Sequence, residues 1–242
     1  MYQEQVGQGN CLPCVPGKFQ DKVKQSSCKD CAANTFSNET KQSSCTGCTT
    51  GSKSKPGSAS CQSCGAGEAG TPCVDCLAGE FRAGSDDDPS QCDSCQGGFY
   101  QPEQGQGNCL PCVPGKFQDL VKQSSCKDCA ANEYTNITEQ TSCRSCSVGK
   151  RSETGSASCQ SCGAGRAGSS CDPCSGGKFR AGSDDDASTC DQCPKGWHQP
   201  DDEQGSCLPC VPGKFQNTPG EKECLECNTN TFAKCCCDRQ WQ

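Results

Sequence analysis

The chain has 242 residues, and 31 of them are cysteine, a share above that which marks a disulfide scaffold. Hydrophobic residues, cysteine included, make up 31% and aromatics 5%, so the apolar side chains needed for one large core are missing and cross-links must replace burial. A net charge of −7 disfavours nucleic acid and anionic membrane surfaces as partners, and no apolar run is long enough for membrane insertion.

In chain order, fourteen Cys-x-x-Cys pairs set the organisation. Their first cysteines are spaced 17, 17, 16, 12, 19 and 17 residues apart from Cys11 to Cys109, and the same six spacings return from Cys109 to Cys207. The period is 98 residues. Residues 1–10 therefore read as a truncated module, 11–108 and 109–206 as two six-module superrepeats, 207–232 as a partial third, and 233–242 as a divergent cysteine-rich tail. Tyr2-Gln3 aligns with Tyr100-Gln101, and the polar run before Cys11 has no signal-peptide h-region, so the chain reads as a fragment of a longer array. Strict periodicity of this kind marks a quasi-one-dimensional stack, in which each unit contacts mainly its neighbours.

Within each module, the third residue after the second cysteine is glycine or asparagine. It is Gly17, Asn34, Gly51, Gly67, Gly79 and Gly98 in the first copy, and Gly115, Asn132, Gly149, Gly165, Gly177 and Gly196 in the second. Gly213 and Asn230 follow in the third. These residues reach positive φ most cheaply, so the same left-handed turn is predicted in every module. Two residues later comes a ring at Phe19, Phe36, Phe81, Tyr100, Phe117, Tyr134, Phe179, Phe215 and Phe232, predicted to pack on its own disulfide as a miniature core. Lys53, Ala69, Arg151 and Ala167 stand there instead in the third and fourth modules of each copy, and the fourth modules are the shortest, which predicts a thinner or bent segment once per period.

Each module then reads as a two-stranded hairpin closed by one bridge from the second cysteine of a pair to the first of the next. That gives Cys14–Cys28, Cys31–Cys45, Cys48–Cys61, Cys64–Cys73, Cys76–Cys92 and Cys95–Cys109. The second copy repeats them as Cys112–Cys126, Cys129–Cys143, Cys146–Cys159, Cys162–Cys171, Cys174–Cys190 and Cys193–Cys207, with Cys210–Cys224 beyond. Connectivity is not deducible from sequence alone. Sequential pairing is favoured because module length varies while the two-residue spacer never does; interlocked pairs such as Cys11–Cys28 or Cys14–Cys31 are the alternative. The expected fold class is a small disulfide-rich, all-β protein, an elongated solenoid-like rod without a large hydrophobic core. Bridges also require an oxidising compartment, so the expected location is extracellular, secreted or at the cell surface.

Cys14-Val-Pro-Gly17-Lys-Phe19 followed by Cys28-Lys-Asp-Cys31 resembles the ephrin-receptor-like cysteine-rich repeat, and is similar to the single-disulfide module of tumour necrosis factor receptor ectodomains. The resemblance covers residues 11 to 232 and implies an extracellular disulfide ladder of the sort used in large surface and matrix proteins. The chain lacks the crossed, two-disulfide modules that alternate with simple ones in those receptors.

Other motifs read mostly as scaffold. Paired Cys-x-x-Cys units approach zinc-ribbon spacing, but bridges use the cysteines better than seven bound ions would. His198 is the only histidine and has no counterpart in other copies, so no catalytic or cofactor site is expected. Asp86, Asp87 and Asp88 recur as Asp184, Asp185 and Asp186; they read as solvated hairpin tips, with Ca²⁺ the alternative. Asn38-Glu-Thr40 and Asn136-Ile-Thr138 are glycosylation sequons 98 residues apart. Thirteen sequential bridges leave Cys11, Cys227, Cys235, Cys236 and Cys237. Cys227 can close onto Cys235 or Cys236. Cys11 and the cluster Cys235, Cys236, Cys237 are then candidates for intermolecular bonds that self-associate the chain end to end in a filament, the alternative being a truncated sequence with its neighbours off both ends. The expected function is a non-catalytic structural protein building a fibre, surface appendage or matrix. The stalk of a receptor or adhesin, with its ligand site outside this stretch, is the second reading, and a secreted metal-binding or redox protein the third.

Overall fold

The structure, a computed structural model, describes residues 2, 10–84, 88–182 and 187–227. The chain divides into two compact units. The first comprises Met1–Cys112, Gln118–Lys127 and Glu139–Thr141, the second Val113–Phe117, Asp128–Thr138 and Ser142–Gln242. Among the described residues there is no helix, and strands occur only as two-residue antiparallel pairs within hairpins.

The module of Cys14 and Cys28 shows why such short strands hold. Lys18–Phe19 pairs with Lys29–Asp30, Lys18 opposite Asp30 and Phe19 opposite Lys29. A two-stranded ribbon of this size is not stable by itself in water. The Cys14–Cys28 bridge closes its open end, with the Cα atoms 5.8 Å apart. A bridge around ~15 residues contributes roughly 3 kcal/mol by loop closure. The turn entering the hairpin is shut by the Lys18 N–H donating to the Val15 carbonyl at 3.1 Å, and Gly17 within it has φ +84°. All thirteen described positions of this kind have φ between +64° and +89°, Asn34 and Asn132 included, as the sequence leads one to expect. Tandem hairpins, each stapled by one disulfide, make this a small disulfide-rich all-β array.

Burial is not deepest at the rings. Phe19, Phe36, Phe81, Tyr100, Phe117, Tyr134, Phe179 and Phe215 are all only half-buried. The buried side chains are the second cysteine of most modules, the first cysteines Cys171 and Cys207, Ala69 and Ala167 at the ring position of the short modules, and the polar residue directly after the ring position, namely Gln20, Ser37, Arg82, Gln101, Gln118, Thr135, Ser152, Arg180, Gln199 and Gln216. Each glutamine acts as a cross-brace. Gln118 donates Nε2–H to the Ser125 carbonyl at 2.7 Å and accepts the Leu120 N–H at 3.1 Å. Gln101, Gln199 and Gln216 do the same in their own loops. A loop too short to bury its backbone under apolar cover must satisfy those groups with a side chain, and glutamine carries one donor and one acceptor end for the task.

Modules stack through one repeated seam. In the first unit the Gly17 N–H donates to the Ser37 carbonyl of the next module, Asn34 to Ser54, Gly51 to Gly70, Gly67 to Arg82, Gly79 to Gln101 and Gly98 to Gln118. In the second, Gly115 donates to Thr135, Asn132 to Ser152, Gly149 to Gly168, Gly165 to Arg180, Gly177 to Gln199 and Gly196 to Gln216. All twelve bonds measure 2.7–3.1 Å. A second seam bond returns from a positive-φ residue at the next hairpin tip to the carbonyl of the second cysteine, as from Lys41 to Cys14 and from Gly57 to Cys31. The turn glycine also touches the module two ahead: a Cβ on Gly17 would lie 2.1 Å from the Gly57 carbonyl oxygen, and one on Gly115 would lie 2.1 Å from that of Gly155. At Gly17 and Gly115 the turn therefore lies against both of the next two modules through backbone, whereas at Gly51 and Gly149 the group met two modules ahead is the side chain of Pro89 or Ala187.

Candidate functional site

The exposed surface, the bridges and the few side chains that break the repeat are where function can lie. The thirteen bridges join Cys14 to Cys28, Cys31 to Cys45, Cys48 to Cys61, Cys64 to Cys73, Cys76 to Cys92 and Cys95 to Cys109. Onward they join Cys112 to Cys126, Cys129 to Cys143, Cys146 to Cys159, Cys162 to Cys171, Cys174 to Cys190, Cys193 to Cys207 and Cys210 to Cys224. Cys227 is disulfide-bonded as well, and Cys11 is free and exposed. Cys235, Cys236 and Cys237 lie outside the described residues.

Both sequon asparagines, Asn38 and Asn136, are exposed, each directly after a buried hydroxyl residue. Ser37 donates its hydroxyl to the Glu39 carbonyl at 3.2 Å, and Thr135 donates to Ile137 at 3.3 Å. The buried hydroxyl pins the turn and leaves the amide side chain outward. Of the aspartate runs, Asp86, Asp87, Asp184, Asp185 and Asp186 lie outside the described residues. Asp88 accepts the backbone N–H of Ser90 at 2.9 Å and also its hydroxyl. These bonds hold its carboxyl below the usual aspartate range, with the Arg82 charge adding to the effect.

Arg82 and Arg180 fill the gap that the short modules leave. The modules of Cys64–Cys73 and Cys162–Cys171 have Gly70 and Gly168 where others place the bracing side chain. The next module sends an arginine back into that space: Arg82 Nη1 donates to the Glu68 carbonyl at 3.0 Å, and Arg180 Nη1 donates to those of Gly163 and Arg166 at 3.0 and 2.9 Å. Both arginines are almost fully buried, and no buried side-chain polar atom among the described residues is left without a partner.

The two copies differ beside those short modules. In the first, Lys53 Nζ meets Glu68 at 2.5 Å, and with the Gly65 N–H this holds the Glu68 carboxyl below its ordinary range. In the second, the same positions are Arg151 and Arg166, and Arg166 turns to Glu203 at 2.6 Å. Arg151 then borders a small polar depression with Ser152, Glu153, Ser156, Ser158 and Gln160. Other ion pairs lie on open hairpin faces, such as Lys18–Asp30 and Lys29–Asp21, where the worth of each is about 0–1 kcal/mol.

His198 occupies a ring position and points its Nδ1 at Cys224 Sγ, 3.1 Å away. Ligand atoms of His198, Cys210 and Cys224 lie within 4.8 Å of one another, the one such metal-like grouping among the described residues. The two sulfurs are bonded to each other, so no thiolate pair is available there for an ion. This neighbourhood was invisible in sequence, because 26 residues separate His198 from Cys224.

No described helix is long and apolar enough to cross a membrane. Residues 83–122 match a family described as tyrosine-protein kinase ephrin type A/B receptor-like. The comparison with curated proteins found no match. The matched family is a receptor-like repeat module and not a catalytic family, and together with the many bridges it suggests an extracellular or cell-surface setting. The chain is thus a tandem array of cysteine-rich repeats, similar over residues 83–122 to the ephrin-receptor-like repeat.

Proposed function

We propose that this chain is a non-catalytic extracellular structural protein whose stacked repeats build a fibre, a surface appendage or a matrix. The observation that carries this reading is the seam: twelve successive turns donate the same backbone bond to the next module, whatever the length of the hairpin. Stacking that uses main-chain atoms and turn glycines works for any side chain on the outer surface, so such an array extends without changing its rule. In this reading protomers associate end to end, with Cys11 and the cysteines at 235–237 as candidate covalent links, and N-linked glycans sit on Asn38 and Asn136. No cofactor takes part, nucleic acid and the bilayer are not partners, and the aspartate tips are solvated. Negative-stain imaging of the natively sourced protein, paired with sedimentation across a dilution series, is the test. Filaments or concentration-dependent assembly support the proposal, and monomers at every concentration overturn it.

The second reading is the stalk of a cell-surface receptor or adhesin. Its support is the description of the matched family and the Lys53–Glu68 pair giving way to Arg151 and Arg166, since a binding face requires one copy to diverge. Cell-surface display in which ligand capture depends on Arg151 would favour this reading over the first.

A further inference from the structure

The geometry points to Cys210–Cys224 as a thiol-exchange site within an otherwise inert scaffold, activated by His198 and taking a small thiol or a dithiol as its reactant. Three observations meet there. First, the Cys224 sulfur is in a bridge and carries no hydrogen, so the 3.1 Å contact must have the imidazole Nδ1–H as donor and the sulfur as acceptor. Second, Cys210 and Cys224 are both half-buried, so the bridge is within reach of a small thiol. Third, the residue that makes the contact is the chain's only histidine, at a position where the first copy has Tyr100.

The step balances as ordinary thiol–disulfide exchange. A thiolate of the incoming dithiol forms a bond to Cys210 Sγ, and the Cys210–Cys224 bond breaks with its electron pair on Cys224 Sγ. The Nδ1–H stays hydrogen-bonded to that sulfur and stabilises it as it departs, and solvent returns to it the proton that the incoming thiol released. The second thiol of the reagent then displaces Cys210 as a thiol and leaves as the reagent's own disulfide. The bridge gains two electrons and the dithiol loses two. Exchange is faster when the departing sulfur is a better leaving group, and a donor aimed at it makes it one. His198 is a positioning group that donates a hydrogen bond to the departing sulfur.

The bridges Cys48–Cys61 and Cys146–Cys159 are the internal controls, because both of their sulfurs are half-buried too and each lies in a hairpin without a histidine. The native chain is exposed to limiting dithiothreitol, quenched with iodoacetamide at intervals and mapped by mass. Cys210 and Cys224 are expected to be alkylated on the order of tenfold faster than the control pairs. His198→Phe, which restores a ring of the usual kind, should bring them down to the control rate. Diethyl pyrocarbonate on the unmutated protein should do the same, with recovery in hydroxylamine; this arm needs no refolding and decides the matter if the variant fails to fold. Equal rates for the three half-buried bridges, or a Cys210–Cys224 rate unmoved by carbethoxylation, would overturn the assignment.

Discussion

Gly17→Ala should loosen three hairpins at once, although it adds one methyl group. The new Cβ would stand 2.1 Å from the Gly57 carbonyl oxygen, where a carbon–oxygen contact needs roughly 3.3 Å. The two segments must move apart by about 1 Å, which opens the Gly17 N–H bond to Ser37 and the Gly57 N–H bond to Cys31, each 2.8 Å long and worth about 1 kcal/mol net. Holding alanine at φ +84° adds about 1–2 kcal/mol, so the local cost is on the order of 3 kcal/mol. Gly57→Ala is the matched control. Gly57 also has positive φ, yet its added Cβ meets only the end of the Asp30 side chain at 3.2 Å, and the equivalent tips carry Lys41, Lys122, Glu139 and Glu203 at φ +58° to +68°. That variant should cost about 1 kcal/mol. Hydrogen exchange read by mass spectrometry with the bridges intact resolves the two. Gly17→Ala should speed exchange of the Gly57 amide by on the order of a hundredfold, and Gly57→Ala by about fivefold. Equal losses would mean that the contact two modules ahead contributes nothing, and the seam argument would fail with it.

Gln118→Ala removes a buried brace and strands the Ser125 carbonyl and the Leu120 N–H, at a cost of about 2 kcal/mol; exchange should rise across residues 119–125 and stay unchanged in the hairpin of Cys31–Cys45. Glu68 should titrate below the ordinary ~4.3, because the Lys53 ammonium and then the Gly65 N–H favour its charged form. Its stabilising contribution is therefore present above ~4.3 and is lost as pH falls through the lower folded value. Carboxyl chemical shifts in the native chain and in Lys53→Ala check this, and a midpoint at or above ~4.3 in the native chain would contradict it. Glycosidase treatment of natively sourced protein should remove mass that Asn38→Gln and Asn136→Gln together abolish, and bare sites in the unmutated chain would count against the proposed glycans. Full reduction should erase hairpin protection throughout, since strands of two residues have little else to close them; persistent protection after complete alkylation would show an unrecognised core.

What could be read in the sequence were the features that chemistry makes absolute. Cysteine spacing delimits the modules, and glycine and asparagine reach positive φ most cheaply, so Gly17 and Asn34 announce their turn without any knowledge of their neighbours. The interior was harder to foresee. Phe19 was expected to form a miniature core, while nothing singled out Gln20, and the structure buries Gln20 more deeply than Phe19. The physical reason is scale. A hairpin of about fifteen residues exposes so much backbone that satisfying it outweighs hiding a ring. The signal was nonetheless present, as glutamine recurs at Gln20, Gln101, Gln118, Gln199 and Gln216, always six residues after the second cysteine. The contact of His198 with Cys224 had no such signal, because it depends on how one hairpin lies on the next.

The same geometry accounts for a period longer than one module. A hairpin of uniform length would let every turn carry the same glycine and every loop the same brace. The module closed by Cys64–Cys73, with a separation of 9 against 13 to 16 elsewhere, breaks that uniformity in two places. Behind it, two modules earlier, the turn residue is Asn34, which carries the Cβ that Gly17 cannot; a short hairpin reaches less far over the turn it would otherwise press upon. Ahead of it, the brace becomes Arg82, long enough to reach back over the vacated space to the Glu68 carbonyl. Asn132, the Cys162–Cys171 module and Arg180 repeat the set 98 residues on. A short module alone would leave buried carbonyls without donors, and an arginine alone would have no space to enter, each a fault worth about 1–3 kcal/mol. The three changes therefore belong together, and they tie four consecutive modules, from Cys31–Cys45 to Cys76–Cys92, into one unit of the repeat.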